Sequence, residues 1–397
     1  MRKAVKGVLE EFPALASGIK PGWIRSQFVF PESVEPLLSV FDLDQADPES
    51  TPEPLLNFFH TPLDMGRGPL AAFCLARSKS LAFLGVNVHH GACDGRGLRH
   101  LLAALADHYR LIFSGKESSR QRFRADRIPN IIYQQYSFRR RMSLIAQGFK
   151  VWGRMLGSAR CDLLEAPTTG AGAFTPLFFS GDSRAGIIAK CKSLGITVND
   201  LFISALARTY LRWNGKINLL KYLVPQDLRP WGVSAPGAFV EDGEWRTVGN
   251  ILGGFSIQIN GSELQDPERL YRLVNQRTME EKKAESALAS ASLAILPINI
   301  LPMKPLMAVY RHLDAGKFMR ILRTSVIFSN LGTVSPDQLR FGDCHPIHFG
   351  FTLPYIEKAG PMFTAAGVGD SISFVIAHSQ SLDAKKFLAF FKEELFK

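Results

Sequence analysis

Apolar residues recur along the chain with two periods, and the changes of period mark the elements. Leu98, Leu101, Leu102, Leu105, Tyr109 and Ile112 fall three and four apart, on one face of a helix that Gly115 closes. Phe138, Met142, Ile145, Phe149, Trp152 and Leu156 repeat in the same way over 137–157, while Arg139, Arg140, Arg141, Lys150 and Arg154 fill other positions. That spacing predicts a basic amphipathic helix. Thr197 and Asp200 make a helix start signal ahead of Leu201, Ala205, Leu206 and Tyr210. Residues 4–16 read as a short helix interrupted by Pro13, another helix ends at Gly195, and the chain closes with a helix from Asp383.

Strand-like runs occupy 23–30 and both halves of 63–90, which "RSKS" at 77–80 splits into a hairpin. Others lie at 177–180, 221–231 and 248–259, then near 323–329, 346–352, 361–366 and 370–377. An acidic, proline-containing loop spans 42–54, and "EAPTTGAGAFTP" at 165–176 has small residues, two prolines and no period. That second stretch reads as a linker, dividing an N-terminal lobe over 1–165 from a C-terminal lobe over 166–397. Residues 287–310 are apolar but broken by Pro297, Pro302 and Pro305, which excludes a straight membrane helix. No internal repeat is found.

Composition supports two lobes with large cores: 397 residues, 46% hydrophobic, with 29 phenylalanines. No N-terminal apolar stretch and no run of roughly 18 apolar residues occurs, so a cytoplasmic protein is expected. The five cysteines (Cys74, Cys93, Cys161, Cys191, Cys344) are odd in number, far apart and without CxxC spacing, which points to reduced thiols. The formal charge is +11, and eleven Lys/Arg against Glu117 and Asp126 concentrate a local +9 between Lys116 and Arg160. Such a block predicts a phosphate-bearing ligand, an acidic partner protein or anionic lipid. Peripheral membrane contact through 137–157 is therefore an expectation, and nucleic acid is not an expected partner.

The candidate chemistry sits in "LGVNVHHGACDGRG", residues 84–97. Strand alternation sends His89 and His90 to opposite faces, so at most one faces a given cavity. Gly91, Gly95 and Gly97 permit a tight path from strand to helix, with Asp94 short enough to brace the turn from inside. Histidine, with an ordinary pKa of about 6.5, is the natural general base near neutrality. A metal site at His89, His90, Cys93 and Asp94 has plausible ligand types, but adjacent strand residues diverge and no HExxH completes it, so no metal is expected. "GRG" is too short for a dinucleotide fingerprint, and no Walker pattern exists.

His-His-x-x-x-Asp-Gly arises by chance on the order of once in a thousand chains of this length. It resembles the signature of the chloramphenicol acetyltransferase-like acyltransferases. These include nonribosomal peptide condensation domains, plant-type alcohol acyltransferases, wax ester and diacylglycerol synthases, and bacterial alcohol acetyltransferases. "FHTPLDMGRGPLAAF", "GITVNDLFISALARTYLRW", "YLVPQDLRPW" and "VIFSNLGTV" extend the likeness over most of the chain. The resemblance implies an α/β fold of two chloramphenicol acetyltransferase-like lobes. Each is a mostly antiparallel mixed sheet packed with helices, and the two form a V with a central tunnel.

Carried over residue by residue, the resemblance implies that His90 is the general base and that Asp94 holds the loop through a salt bridge, with Arg229 its candidate partner and His89 in support. Gly95 would keep a channel beside His90 open, and Ser329 and Asn330 are candidates for substrate or oxyanion contact. It further implies acyl-coenzyme A or acyl-phosphopantetheine as co-substrate, no bound cofactor and no covalent intermediate. The acyl group would pass to a hydrophobic alcohol or an amine, and a carrier-bound donor would add an acidic carrier protein as partner. One departure stands out: the family has a strand ahead of its first helix, whereas here the helix begins within a few residues of Met1. A reading from a different class is a catalytically degenerate, condensation-like module that binds an acyl-carrier partner.

Overall fold

A computed structural model describes the chain apart from residues 117–129, 158–160, 165–170, 236, 237, 239, 242, 301, 303, 305–323 and 357–359. In chain order the first part holds α1 (Arg2–Glu11), α2 (Pro13–Ala16), β1 (Gly18–Lys20), β2 (Gln27–Val29), β3 (Leu38–Asp42) and α3 (Glu53–His60). Next come β4 (Ala71–Arg77), β5 (Ala82–Val88), α4 (Gly95–Phe113), α5 (Asn130–Gln134) and α6 (Phe138–Gly157). The second part holds β6 (Gly172–Ser180), α7 (Gly181–Leu194), α8 (Val198–Asn214), β7 (Leu219–Asp227), β8 (Val240–Glu241), β9 (Glu244–Trp245) and β10 (Leu252–Asn260). It ends with α9 (Pro267–Lys283), α10 (Ser286–Ile300), β11 (Val326–Val334), β12 (Met362–Val368), β13 (Ser371–Ser379) and α11 (Ala384–Phe396).

The hairpin forms as the sequence predicts, with Ala71 opposite Val88 and Arg77 opposite Ala82. β3 joins β4 in parallel, giving a three-stranded sheet. Its core is closed by α1, whose Val5, Val8 and Leu9 pack with Leu101 and Leu105 of α4. These two helices also share a buried pair, His108 Nε2 to Glu11 Oε2 at 2.7 Å. α1 thus closes this core from Arg2 onward.

Gly7 faces His108 so closely that a Cβ there would lie 2.7 Å from Nδ1 of the ring. Glycine to alanine within a helix ordinarily stabilises by about 1 kcal/mol. Gly7→Ala is expected to reverse that sign and destabilise by about 1–3 kcal/mol, because the ring must leave its carboxylate. Urea denaturation of the variant checks this.

The larger sheet has the strand order β10-β7-β11-β12-β13-β6, antiparallel except where β11 lies parallel to β7 and β12. Alternation sends Tyr222 and Phe328 into the main core, where Phe202 of α8 packs against Phe328, Phe374 and Phe391. Leu223 and Ile327 pack instead with Val151 and Met155 of α6. Helix ends follow the expected chemistry: Thr197 and Asp200 cap α8 reciprocally, and Gly195 ends α7 with φ +65°. The fold is therefore α/β, with two mixed sheets, each packed with helices. No helix among the described residues is long and apolar enough to cross a membrane.

Several sequence expectations are corrected. The stretch 346–352 is not a strand: the Ser373 hydroxyl takes the Phe349 carbonyl at 2.7 Å and Thr364 takes that of Phe351, so side chains replace a ladder. The expected strand over 221–231 ends at Asp227, and Arg229–Trp231 is a 3₁₀ turn. Over 23–30, only Gln27–Val29 is strand. The linker expected at 165–176 is strand from Gly172 onward, Pro176 being tolerated because β6 is a sheet edge. Its first part, 165–170, and with it the lobe boundary at 165/166, lies outside the described residues. α10 continues through Pro297 to Ile300. On α6 the buried row is Leu144, Gly148, Val151 and Met155, while Phe138, Met142, Phe149 and Leu156 of the expected amphipathic spacing are exposed.

Candidate active site

β5 delivers the chain to His89 and His90, and four residues later Asp94 starts α4. Asp94 is 2% exposed, and its carboxylate is fully engaged. Oδ1 caps the helix by accepting the Gly97 N–H at 2.7 Å and also accepts Arg229 Nη2 at 3.0 Å. Oδ2 accepts Arg229 Nη1 at 3.0 Å and the Ile251 N–H at 2.7 Å. This fork-to-fork pair is the strong form of a charge-assisted hydrogen bond. Arg229, from the 3₁₀ turn after β7, further donates to Asp227 Oδ1 at 2.8 Å and to the carbonyls of Thr247 and Gly249. Burial pulls the Arg229 pKa down, but Asp94 and Asp227 outweigh it and raise the value. Asp227 itself moves up, burial exceeding the pull of Arg229.

The turn is thereby fastened to the 247–251 segment that leads into β10. Asp94 N–H donates to the Gly249 carbonyl at 3.1 Å, and Asn250 Nδ2 donates to the His90 carbonyl at 3.0 Å. Asn250, Gly249 and Asp227 were missed in the sequence, where only the strand around them had a pattern.

Within this frame the two histidines take opposite tautomers. His90 Nδ1 lies 3.2 Å from the Cys93 carbonyl, and a carbonyl oxygen only accepts, so Nδ1 carries the hydrogen. Its Nε2 is left with a lone pair, on a residue exposed to solvent. His89 is the reverse: its Nδ1 accepts the Gly91 N–H at 3.1 Å. Burial, and then the neighbouring His90, lower the His89 pKa, so that ring is neutral at pH 7. Asp94 is fully engaged and the buried Cys93 thiol donates to the Asp94 carbonyl at 3.2 Å. The four side chains weighed as metal ligands therefore do not converge.

Gly95 is closely packed. A side chain there would overlap the Leu331 methyl groups, so glycine lets the start of α4 seat against β11. β11 bulges between Asn330 and Thr333, where Asn330 Oδ1 accepts the Gly332 N–H at 2.8 Å. Arg99, on the next turn of α4, donates to the Leu331 carbonyl at 3.3 Å. Ser329 pairs in register with Thr364 and is partly buried, one residue before Asn330.

Behind the brace, His100 is a buried imidazole with 9% side-chain exposure and no hydrogen-bond partner on either nitrogen among the described residues. Glu244 Oε2 is 3.9 Å away. Burial, then Arg229, Arg96, Arg246 and Arg99, push its pKa down to about 3. A folded value below the unfolded 6.5 means the unfolded chain binds the extra proton first. The stabilisation is complete above pH 6.5 and is lost as pH falls from there toward 3. His100→Gln should therefore show a smaller fall in urea midpoint between pH 7 and pH 5 than the parent protein.

No family model and no curated protein matches the chain. Solved structures do. The epimerization domain from the third module of tyrocidine synthetase B superposes with a TM-score of 0.66 at 14% identity, covering 99% of this chain and 85% of that one. The first condensation domain of the CDA synthetase gives 0.65 at 14% identity, over 100% and 87%. SgcC5 from Streptomyces globisporus, in complex with (R)-(-)-1-(2-naphthyl)-1,2-ethanediol and sucrose, gives 0.66 at 15% identity, over 99% and 87%. The chain thus has the two-lobed chloramphenicol acetyltransferase-like fold of condensation and epimerization domains.

Proposed function

We propose that the chain is an acyltransferase that moves an acyl group from a thioester to a hydroxyl or amine, with His90 as general base. The observation that carries this reading is the His90 ring: Nδ1 is committed to the Cys93 carbonyl, and Nε2, with no hydrogen-bond partner among the described residues, stands at the end of a turn fixed by Asp94 and Arg229. Nε2 takes the acceptor proton as the oxygen or nitrogen attacks the thioester carbonyl. The tetrahedral adduct expels the sulfur, and the imidazolium returns the proton to it, so the products are an ester or amide and a free thiol. No covalent acyl-protein forms. Much of the rate would come from holding both reactants in register.

Ser329 and Asn330 are proposed to meet the substrate from β11. The bond that the Gly332 N–H donates to Asn330 Oδ1 orients that side-chain amide and leaves its NH₂ to donate. The donor is proposed to be acyl-coenzyme A, whose phosphates suit the basic stretch from Lys116 to Arg160, with acyl-phosphopantetheine on an acidic carrier the other form of the same chemistry. A hydrophobic alcohol is proposed as acceptor, in keeping with the diol bound to SgcC5.

A panel of acyl-coenzyme A and acyl-pantetheine thioesters against alcohols and amines, read by thiol release and product mass, tests this. Thiol and acylated product should appear in equal amounts. Thioesters bound but never turned over with any acceptor would leave the degenerate, carrier-binding module in its place.

A further inference from the structure

We propose that α6 is a docking surface for an anionic lipid bilayer, lying in the plane of the headgroups while its other face stays packed on the protein. At about 100° per residue, the helix divides into three sectors. Leu144, Val151 and Met155 form the buried row. Gly148 completes it, seated so tightly on α10 that a Cβ would lie 2.9 Å from that of Leu293.

About 125° further round runs a stripe of Phe138, Met142, Phe149 and Leu156, exposed by 78, 42, 62 and 40%. It extends for roughly 27 Å at 1.5 Å per residue. Isolated exposed apolar residues are ordinary, but a continuous row of four large ones along one helix is not.

The third sector, about 100° beyond the stripe, carries Arg139 and Lys150, both exposed and with no ion pair among the described residues. Arg140 and Arg154 are tied to Glu285 and Glu281. No aspartate or glutamate occurs anywhere from 137 to 157. An apolar stripe flanked by cations and free of acids is the pattern of a helix lying in a bilayer interface. The unneutralised charges select anionic headgroups. A straight stripe as long as the helix fits a plane better than a small acidic domain, whose contact would concentrate in one anchored pocket. The inference does not depend on what His90 does.

The test is co-sedimentation of the full chain with vesicles of phosphatidylcholine alone and of phosphatidylcholine mixed with phosphatidylserine. Binding should require phosphatidylserine and weaken as salt rises. Phe138→Ser with Phe149→Ser should lower the apparent partition coefficient about a hundredfold, about tenfold per ring removed from the interface. Arg139→Glu with Lys150→Glu should lower it at least tenfold. All four side chains are exposed, so the melting curves should match the parent's. Failure of the parent protein to sediment with either vesicle overturns the proposal. So does binding that ignores the α6 substitutions but is lost in Trp23→Ser with Ile24→Ser, which would place the contact on the loop where those residues stand 64 and 68% exposed. Saturable binding to an acidic carrier protein that Phe149→Ser abolishes, without vesicle binding, also overturns it.

Discussion

His90→Ala is expected to cut thiol release from an acyl thioester by about 10²–10⁴-fold, the usual contribution of a positioned general base. The melting temperature should stay where it is. His90 is exposed, and its ring is held by one 3.2 Å contact to the Cys93 carbonyl. Asn250 grips its main-chain carbonyl, which alanine retains. Loss of rate with no loss of stability separates a chemical role from a structural one. Unchanged turnover in this variant would remove His90 from the mechanism.

Arg229→Leu should have the opposite signature, lowering stability and activity together. The Asp94 carboxylate keeps its bonds to the Gly97 and Ile251 amides but loses both guanidinium contacts in a site where its side chain is fully buried. Leaving a buried charge without its partner costs about 3–5 kcal/mol. The carbonyls of Thr247 and Gly249 lose their donor as well, so the 247–251 segment loosens beneath the histidine turn. Pairing the change with Asp94→Asn should recover part of the stability, because the uncompensated charge is the larger part of the penalty. Chemical denaturation of the two single variants and the double variant measures that coupling. Additive losses would mean that the pair is not the brace.

The sequence carried the histidine turn, the α4 and α8 faces and the β4–β5 hairpin because each depends on neighbours within a few residues. Asp94 could be matched with Arg229 across 135 positions only through the resemblance in "YLVPQDLRPW". Asn250, Gly249 and Leu331 had no such signal: a carbonyl acceptor or a single methyl contact leaves no periodic trace. Over 137–157 helical spacing gave the helix but not which way it faces: two apolar rows share it, and the smaller one, Leu144, Gly148, Val151 and Met155, is buried because the glycine permits close packing on α10. At 346–352 strand-like composition was satisfied by hydroxyl groups from β12 and β13 rather than by a neighbouring strand.

The braced turn presents the Nε2 lone pair of His90 while the Cys93 carbonyl holds its Nδ1 hydrogen. Long-range ¹H–¹⁵N correlation spectra of protein labelled at histidine, recorded in alkaline buffer, read that hydrogen directly. The expected result is the Nδ1–H tautomer for His90 and the Nε2–H tautomer for His89. A His90 ring protonated on Nε2, or exchanging evenly between the two forms, would contradict it.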